Sequence, residues 1–470
     1  MRSLVILAVL VPLFAVSARA EAGDLTPAQR MAREVYAELV GLNTAASTGS
    51  TAPAAQAVAR RLRAAGFAGA DVQVLGPKAT KANLVARLRG TGERRPLLLL
   101  AHLDVVEAKR SDWTRDPFTL TEQDGFFYGR GTLDDKAMAA IFVTTMIRMK
   151  RDGVRPNRDV ILALTADEEG GPDNGAEWLL KHHRDLVDAE LVLNEGGNGA
   201  IRQGRYLANM VQASEKTYTN FTLEVRDKGG HSSLPSKENA IYSLAAGLGR
   251  LERFAFPVEL NEVTRSYFER LAKFETGQTA DDMVAVLRDP PDPAAVERLS
   301  NIPRYNALLR TTCVATRLEG GHADNALPQT ARANVNCRIL PGHTSDEVRR
   351  VLVEVLAEER IGVTEPVPAV AGPASSVDPD FMAAAERITQ ELWPGMSVIP
   401  IMSTGATDAR YFRTAGSGAY GVSGIFIDVD DNRAHGQDER LGVRQFYEGQ
   451  EFLQRLVLAL VVSDRAGGSR

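Results

Sequence analysis

Residues 96–104 read Pro-Leu-Leu-Leu-Leu-Ala-His-Leu-Asp, an unbroken apolar run that stops on a histidine and, two positions later, on a carboxylate. A short apolar stretch of this kind suits a strand buried on both faces. The design recurs twice downstream. Residues 160–164 run into Thr165-Ala166-Asp167-Glu168-Glu169, and residues 191–193 run into Asn194-Glu195-Gly196-Gly197. Helical spacing fills the intervals, over residues 136–150 and 175–183. Upstream, Thr51-Ala52-Pro53 opens a helix carried by Ala55, Val58, Ala59 and Leu62, and residues 83–88 form another strand. Strands alternating with helices predict an α/β domain: a mostly parallel twisted sheet with helices on both faces.

The pattern changes near Ser214. Residues 218–225 alternate apolar and polar, as a strand with one wet face does. A helix follows over 239–254, then a long mixed stretch from 259 to 310 whose Asp289-Pro290-Pro291-Asp292-Pro293 segment must be irregular. Two further strands, 311–318 and 330–340, close the block, and helix and strand signals then alternate to the end. The expected organisation is an α/β domain (21–213 and 343–470) interrupted by a smaller α+β domain at 214–342.

In open α/β sheets ligands bind beyond the carboxyl ends of the strands. His102, Glu168, Glu169 and Glu195 fall there, and a further acidic pair, Asp134-Asp135 in Gly129-Arg130-Gly131-Thr132-Leu133-Asp134-Asp135-Lys136, opens a helix. Taken singly, each cluster reads as easily as a solvated face. Together they converge on one crevice, where so much negative charge is unfavourable without cations, and two divalent ions would relieve it. His102 and Asp104, two apart in extended chain, face the same way, which suits a ligand and a carboxylate that orients it. Of the neighbours Glu168 and Glu169, one can bind metal while the other carries protons. His182, His183, His322 and His343 fit no ligand position, and Trp113, Trp178 and Trp393 read as packing residues.

These motifs resemble those of the di-zinc exopeptidases and deacylases that include glutamate carboxypeptidase, carboxypeptidase S, aminoacylase, acetylornithine deacetylase and succinyl-diaminopimelate desuccinylase. The resemblance rests on AHLDVV (101–106), GRGTLDDK (129–136), TADEEGG (165–171), NEGG (194–197), GGHSS (229–233) and AHGQDERL (434–441). It implies that His102 and Glu195 bind one zinc, that Glu169 and His435 bind the other, and that Asp134 bridges them before a cis bond to Asp135. Cobalt or manganese would suit the same donors. It further implies that Asp104 orients His102, that Glu168 is the general base and that His231 stabilises the oxyanion, often across a dimer. Asn325, Arg338 and Gly405 would bind the substrate carboxylate. The implied activity is hydrolysis of an amide or peptide bond beside a free carboxylate, in a small peptide or N-acyl amino acid. Ala137 and Asp438 depart from the usual Gly and Asn, but neither is a ligand. Glu195, where some relatives carry Asp, tilts the resemblance toward aminoacylases and carboxypeptidase S.

The chain has 470 residues and a formal net charge of −5 with no basic block, so nothing points to nucleic acid or an anionic membrane. Residues 1–20 read as an export signal: Arg2, an apolar run from 4 to 16, and Ala18-Arg19-Ala20 as the cleavage site. The mature protein is therefore expected in the periplasm or the medium. Cys313 and Cys337, the two cysteines, are compatible with a disulfide between hairpin neighbours and equally with two buried thiols. Two other readings compete. A non-catalytic exported binding protein would need a broken ligand or base, and none is broken. A di-zinc aminopeptidase would lack the inserted domain that carries His231 and Arg338.

Overall fold

The computed structural model describes residues 25–462; the segment read as an export signal lies outside them. The run at 96–104 is the strand Leu97–His102, fully buried. It pairs in parallel with Val160–Thr165 on one side and Leu191–Asn194 on the other, and Gly418–Gly421 continues the parallel centre. The margin is antiparallel, where Val72–Lys78 and Lys81–Leu88 form a hairpin at the edge of the ten-stranded sheet. Alternation along the central strands explains why they read as continuous apolar runs. Leu97, Leu99 and Ala101 enter one core with the helices Pro27–Val40, Lys136–Arg151 and Val443–Val461. Leu98 and Leu100 enter a second core with Ala176, Leu179 and Phe412 on the opposite face. Among the described residues no helix is long and apolar enough to cross a membrane.

The smaller sheet is antiparallel, in the order Thr312–Gly320, Thr330–Ile339, Thr217–Arg226, Gly362–Thr364. Phe221, Leu223 and Val225 face the helices Ala240–Arg253 and Ser345–Leu356. The intervening Tyr218, Asn220 and Thr222 are more open, and in register with Tyr218 and Asn220 stand Arg338 and Asn336. The cysteines are bonded, Cys313 to Cys337, opposite one another in register, and this settles their two readings.

The packing differs from the boundaries expected at 214 and 342. The helices Glu262–Leu271, Gln278–Ala285, Pro293–Ser300 and Pro303–Leu309 bury Val263, Phe268, Met283, Leu299 and Leu309 in the large core. Conversely, Ser345–Leu356 and Gly362–Thr364 belong to the small sheet. An amphipathic helix covers whichever apolar surface lies beside it, and Glu262–Leu271 lies against the strand Val398–Ser403.

Candidate metal centre

The carboxyl ends of the three central strands deliver His102, the 165–169 turn and Glu195 to one crevice. Across it lies the loop before the helix Lys136–Arg151, which brings Asp134; its peptide to Asp135 is cis. His435 arrives from the loop that precedes the strand Arg440–Gly442, in the left-handed region at φ 61°. Two sets of donors form, His102 with Asp134 and Glu195, and Asp134 with Glu169 and His435, each within 4.8 Å. Asp134 belongs to both. Its Oδ1 lies 3.0 Å from His102 Nε2 and its Oδ2 lies 3.1 Å from His435 Nε2. Glu169 Oε1 stands 2.9 Å from His435 Nε2, and Glu195 Oε1 stands 3.9 Å from His102 Nε2.

His102 Nδ1 lies 3.0 Å from the backbone carbonyl of Asp104. A carbonyl can only accept, so Nδ1 carries the hydrogen and Nε2 presents its lone pair to the cluster. The Asp104 carboxylate, expected to orient the ring, stands 3.7 Å away. It accepts instead from the backbone N–H groups of Glu168 (3.1 Å) and Glu169 (3.0 Å). Asp104 thus holds the ring with its main chain and the paired glutamates with its side chain.

Arg338 lies across the cleft in the small domain, its guanidinium 4.6 Å from the centre of the Tyr218 ring. Its Nη1 donates to the Thr404 carbonyl at 3.1 Å, which brings it to the loop of Gly405; the Gly405 N–H donates to Ser403 Oγ at 3.0 Å. His231 and Asn325 sit apart from these groups. Both are exposed on a short two-stranded extension, where the Ser232 N–H donates to the Asn325 carbonyl and His231 bonds Ser233. Among the described residues neither touches a donor of the cluster.

Two buried acids that sequence reasoning passed over complete the frame. Asp408 accepts from Thr165 Oγ1 (2.9 Å) and Asn174 Nδ2 (2.6 Å), tying the 403–408 loop to the strand end. Glu439, fully buried, accepts from the N–H groups of Gly131, Leu133 and Asp134 and pairs with Arg130 at 2.7 Å. Arg130 in turn donates to the carbonyl of Gly436 at 3.0 Å. Glu439 lies inside a quoted motif, four residues after His435, but no local pattern marks an acid as buried.

The charges of the cluster are unbalanced. Burial pushes the Glu168 carboxyl well above its ordinary range, with Asp408, Glu169 and Asp134 adding to the rise against His102. Burial and then Asp134 do the same to Glu195. His435 is raised to about 10 by its bonds to Asp134 and Glu169. For His102, burial opposes the charge, but Asp134, Glu195 and Asp104 outweigh it and raise the ring well above normal. Protons therefore gather where the donors ask for positive charge. Two imidazole nitrogens and two glutamates around a shared aspartate are a donor set that divalent transition metals fit.

An α/β sheet with nitrogen and carboxylate donors at its strand ends, and a second domain facing them, is the architecture of a metal-dependent hydrolase. The chain belongs to peptidase family M20/M25/M40, whose model matches residues 98–459. N-fatty-acyl-amino acid synthase/hydrolase PM20D1 of Homo sapiens is 30% identical over 377 residues, covering 77% of this chain and 73% of that protein. Probable carboxypeptidase S-like 2 of Dictyostelium discoideum is 28% identical over 391 residues, 80% of this chain and 74% of that one. Among solved structures, the M20 family metallo-carboxypeptidase Sso-CP2 from Sulfolobus solfataricus shares the fold, with a TM-score of 0.67 at 20% identity over 91% of this chain and 98% of that one.

Proposed function

We propose that this protein hydrolyses the amide bond of N-acyl amino acids and short peptides that end in a free carboxylate, with two zinc ions per chain. The observation that carries the reading is Asp134, whose two oxygens each face a different histidine. His102 and Glu195 would hold one ion, Glu169 and His435 the other, and Asp134 both. Bound there, the ions supply Lewis acidity that polarises the scissile carbonyl and acidifies water.

The remaining work falls to side chains. Glu168 is half-buried next to Glu169 with its main chain pinned by Asp104, and its carboxyl is shifted upward by desolvation. A base of raised affinity takes the proton of the attacking water and returns it to the departing amine nitrogen. Arg338 sits at the Thr404–Gly405 loop with no hydrogen bond from Nη2 among the described residues, so it has a donor free for the substrate carboxylate. His231 and Asn325 would complete the site from a second copy. The strand Thr312–Gly320 is an unpaired edge, with Val314 58% and Leu318 68% exposed and Tyr242 70% exposed on the helix beside it. Paired edges of two copies would cover these residues, and a dimer in sedimentation is the expected outcome. Export to an oxidising compartment is supported by the Cys313–Cys337 bond.

The reading is tested with the metal-loaded protein on dipeptides and N-acyl amino acids, free or C-terminally amidated. Cleavage of the free acids and loss of cleavage on amidation are expected. Glu168→Gln should lower kcat by about 10²–10⁴-fold with metal content unchanged. A metal-loaded protein inert on all these substrates overturns the reading.

A further inference from the structure

Glu215 ends the strand Arg205–Glu215 of the large sheet, and a single residue, Lys216, separates it from Thr217–Arg226 of the small one. The crossing between the domains therefore starts at a buried carboxylate. Four donors converge on its two oxygens. Oε2 accepts from Gln212 Nε2 (3.0 Å), from the Thr407 N–H (2.9 Å) and from Thr407 Oγ1 (2.9 Å). Oε1 lies 2.6 Å from Arg413 Nη2. Gln212, Thr407 and Arg413 are buried as well. A carboxylate suits this position because it accepts at both oxygens and donates at neither.

What the carboxylate holds is the 403–408 loop. Ser403 stands in register with Glu215, and its carbonyl accepts the Lys216 N–H at 2.9 Å. The loop is thus tied to the crossing twice, at Ser403 by main chain and at Thr407 by the Glu215 side chain. Between the ties lie Gly405 and Thr404, whose carbonyl accepts from Arg338. Arg338 comes from the small sheet, opposite Tyr218 just beyond the crossing. The two groups assigned to the substrate carboxylate therefore belong to different domains, and their supports meet at Glu215. The metal donors hang from other ties, Glu169 from Asp104 and Asp134 from Glu439. Gln212 does pack against Gly196, beside Glu195, so metal content is the control for the centre itself.

We propose that Glu215 is a positioning residue for recognition of the substrate carboxylate. It fixes the Thr404–Gly405 loop relative to Arg338 and so sets KM, while the chemistry stays with the metal centre and Glu168. This rests on the function proposed above and names the residue that aligns its carboxylate clamp. Glu215→Gln keeps the shape but has one accepting oxygen. Its NH₂ group must face either the Arg413 guanidinium or the donors from Thr407 and Gln212, so the loop or its anchor has to shift.

The test is steady-state kinetics of the full, metal-loaded protein on a dipeptide and an N-acyl amino acid, both with free carboxylates. Glu215→Gln should raise KM about tenfold or more and keep kcat within about threefold, the sign of an interaction made equally in ground and transition states. A merely structural role would lower the active fraction, and with it kcat, and leave KM unchanged. Thr407→Val removes one donor and leaves the Arg413 pair in place, so it serves where the buried arginine destabilises Glu215→Gln. It should raise KM in the same sense, and Thr407→Ser, which retains the hydroxyl, should restore it. An unchanged KM in either Glu215→Gln or Thr407→Val, folded and metal-replete, overturns the inference. So do equal effects of Thr407→Val and Thr407→Ser. Calorimetric binding of the dipeptide to Glu168→Gln, with and without Glu215→Gln, separates the inference from the reading it rests on. Binding that Glu215→Gln weakens, in a protein whose wild type turns over neither substrate, would uphold the inference and overturn the proposed reaction. Absence of both binding and turnover would overturn both.

Discussion

Glu439 lies at the point where the loops of Asp134 and His435 meet. Its carboxylate accepts from Leu133 (2.7 Å), Gly131 (3.0 Å) and Asp134 (3.1 Å) main-chain N–H groups and holds Arg130, which reaches the His435 segment. Burial raises its carboxyl, and these donors pull the other way. Removing one side of such an assembly leaves an uncompensated buried cation and bare N–H groups, so Glu439→Ala should cost about 3–5 kcal/mol. Urea denaturation of metal-stripped wild type and variant measures that cost without the contribution of metal. Lys216, at the first crossing into the small domain, is the opposite case. It is fully buried, donates to the Arg310 carbonyl at 2.7 Å, and has no carboxylate partner among the described residues. Burial, aided by Arg338, lowers its pKa from 10.5 to about 7. Between those two values the unfolded chain holds a proton that the folded chain has released, so stability rises with pH through the window and the penalty is complete below it. Lys216→Met should flatten that rise when denaturation is compared at pH 6 and pH 9; an identical slope in both proteins would contradict the assignment.

At the scale of elements, the disulfide has the most direct consequence. It closes a loop of 24 residues and ties the edge strand Thr312–Gly320 to its neighbour Thr330–Ile339. Cys313→Ser with Cys337→Ser should lower stability by about 3 kcal/mol, read as a shift in the denaturation midpoint that reductant reproduces in wild type. That pairing is only half legible in the sequence. Two cysteines in strand-like segments allow a bond, but register decides it, and register depends on partners far along the chain. The central strands are legible for a plain reason: burial on both faces leaves an unbroken apolar run, and Leu97–His102, Val160–Thr165 and Leu191–Asn194 all carry one. Because donors follow those runs directly, the order of residues alone puts His102, Glu169 and Glu195 at one edge of the sheet. The helices between Glu262 and Leu309 show the limit. Their periodicity announces an apolar face but not which core it meets, and they meet the large one. Asp104 shows a finer limit, since spacing places it near His102 but cannot tell that its carbonyl, not its carboxylate, makes the bond.

For the whole molecule, the balance of charge at the cleft decides how metal, protons and stability are linked. Metal-free, the cluster retains protons: His435 titrates at about 10 and His102 is raised in the same direction. At pH 7 the His435 ring is therefore cationic, and a metal ion can take its nitrogen only by displacing that proton. Uptake of zinc at pH 7 should release at least one proton per chain. Apparent affinity should then rise by about tenfold per pH unit for each proton released, and the rise should fade as pH approaches the ring's own value. Titration calorimetry in buffers of different ionisation enthalpy counts the protons directly, and His435→Gln should release fewer. Ions that bound the folded chain alone would add about 2.7 kcal/mol for each site held at a hundredfold excess over Kd, so chelation should lower Tm and zinc should restore it. Zinc uptake without proton release at pH 7 would mean that the imidazoles are already neutral, and that the carboxylates around them are held off by something other than protons.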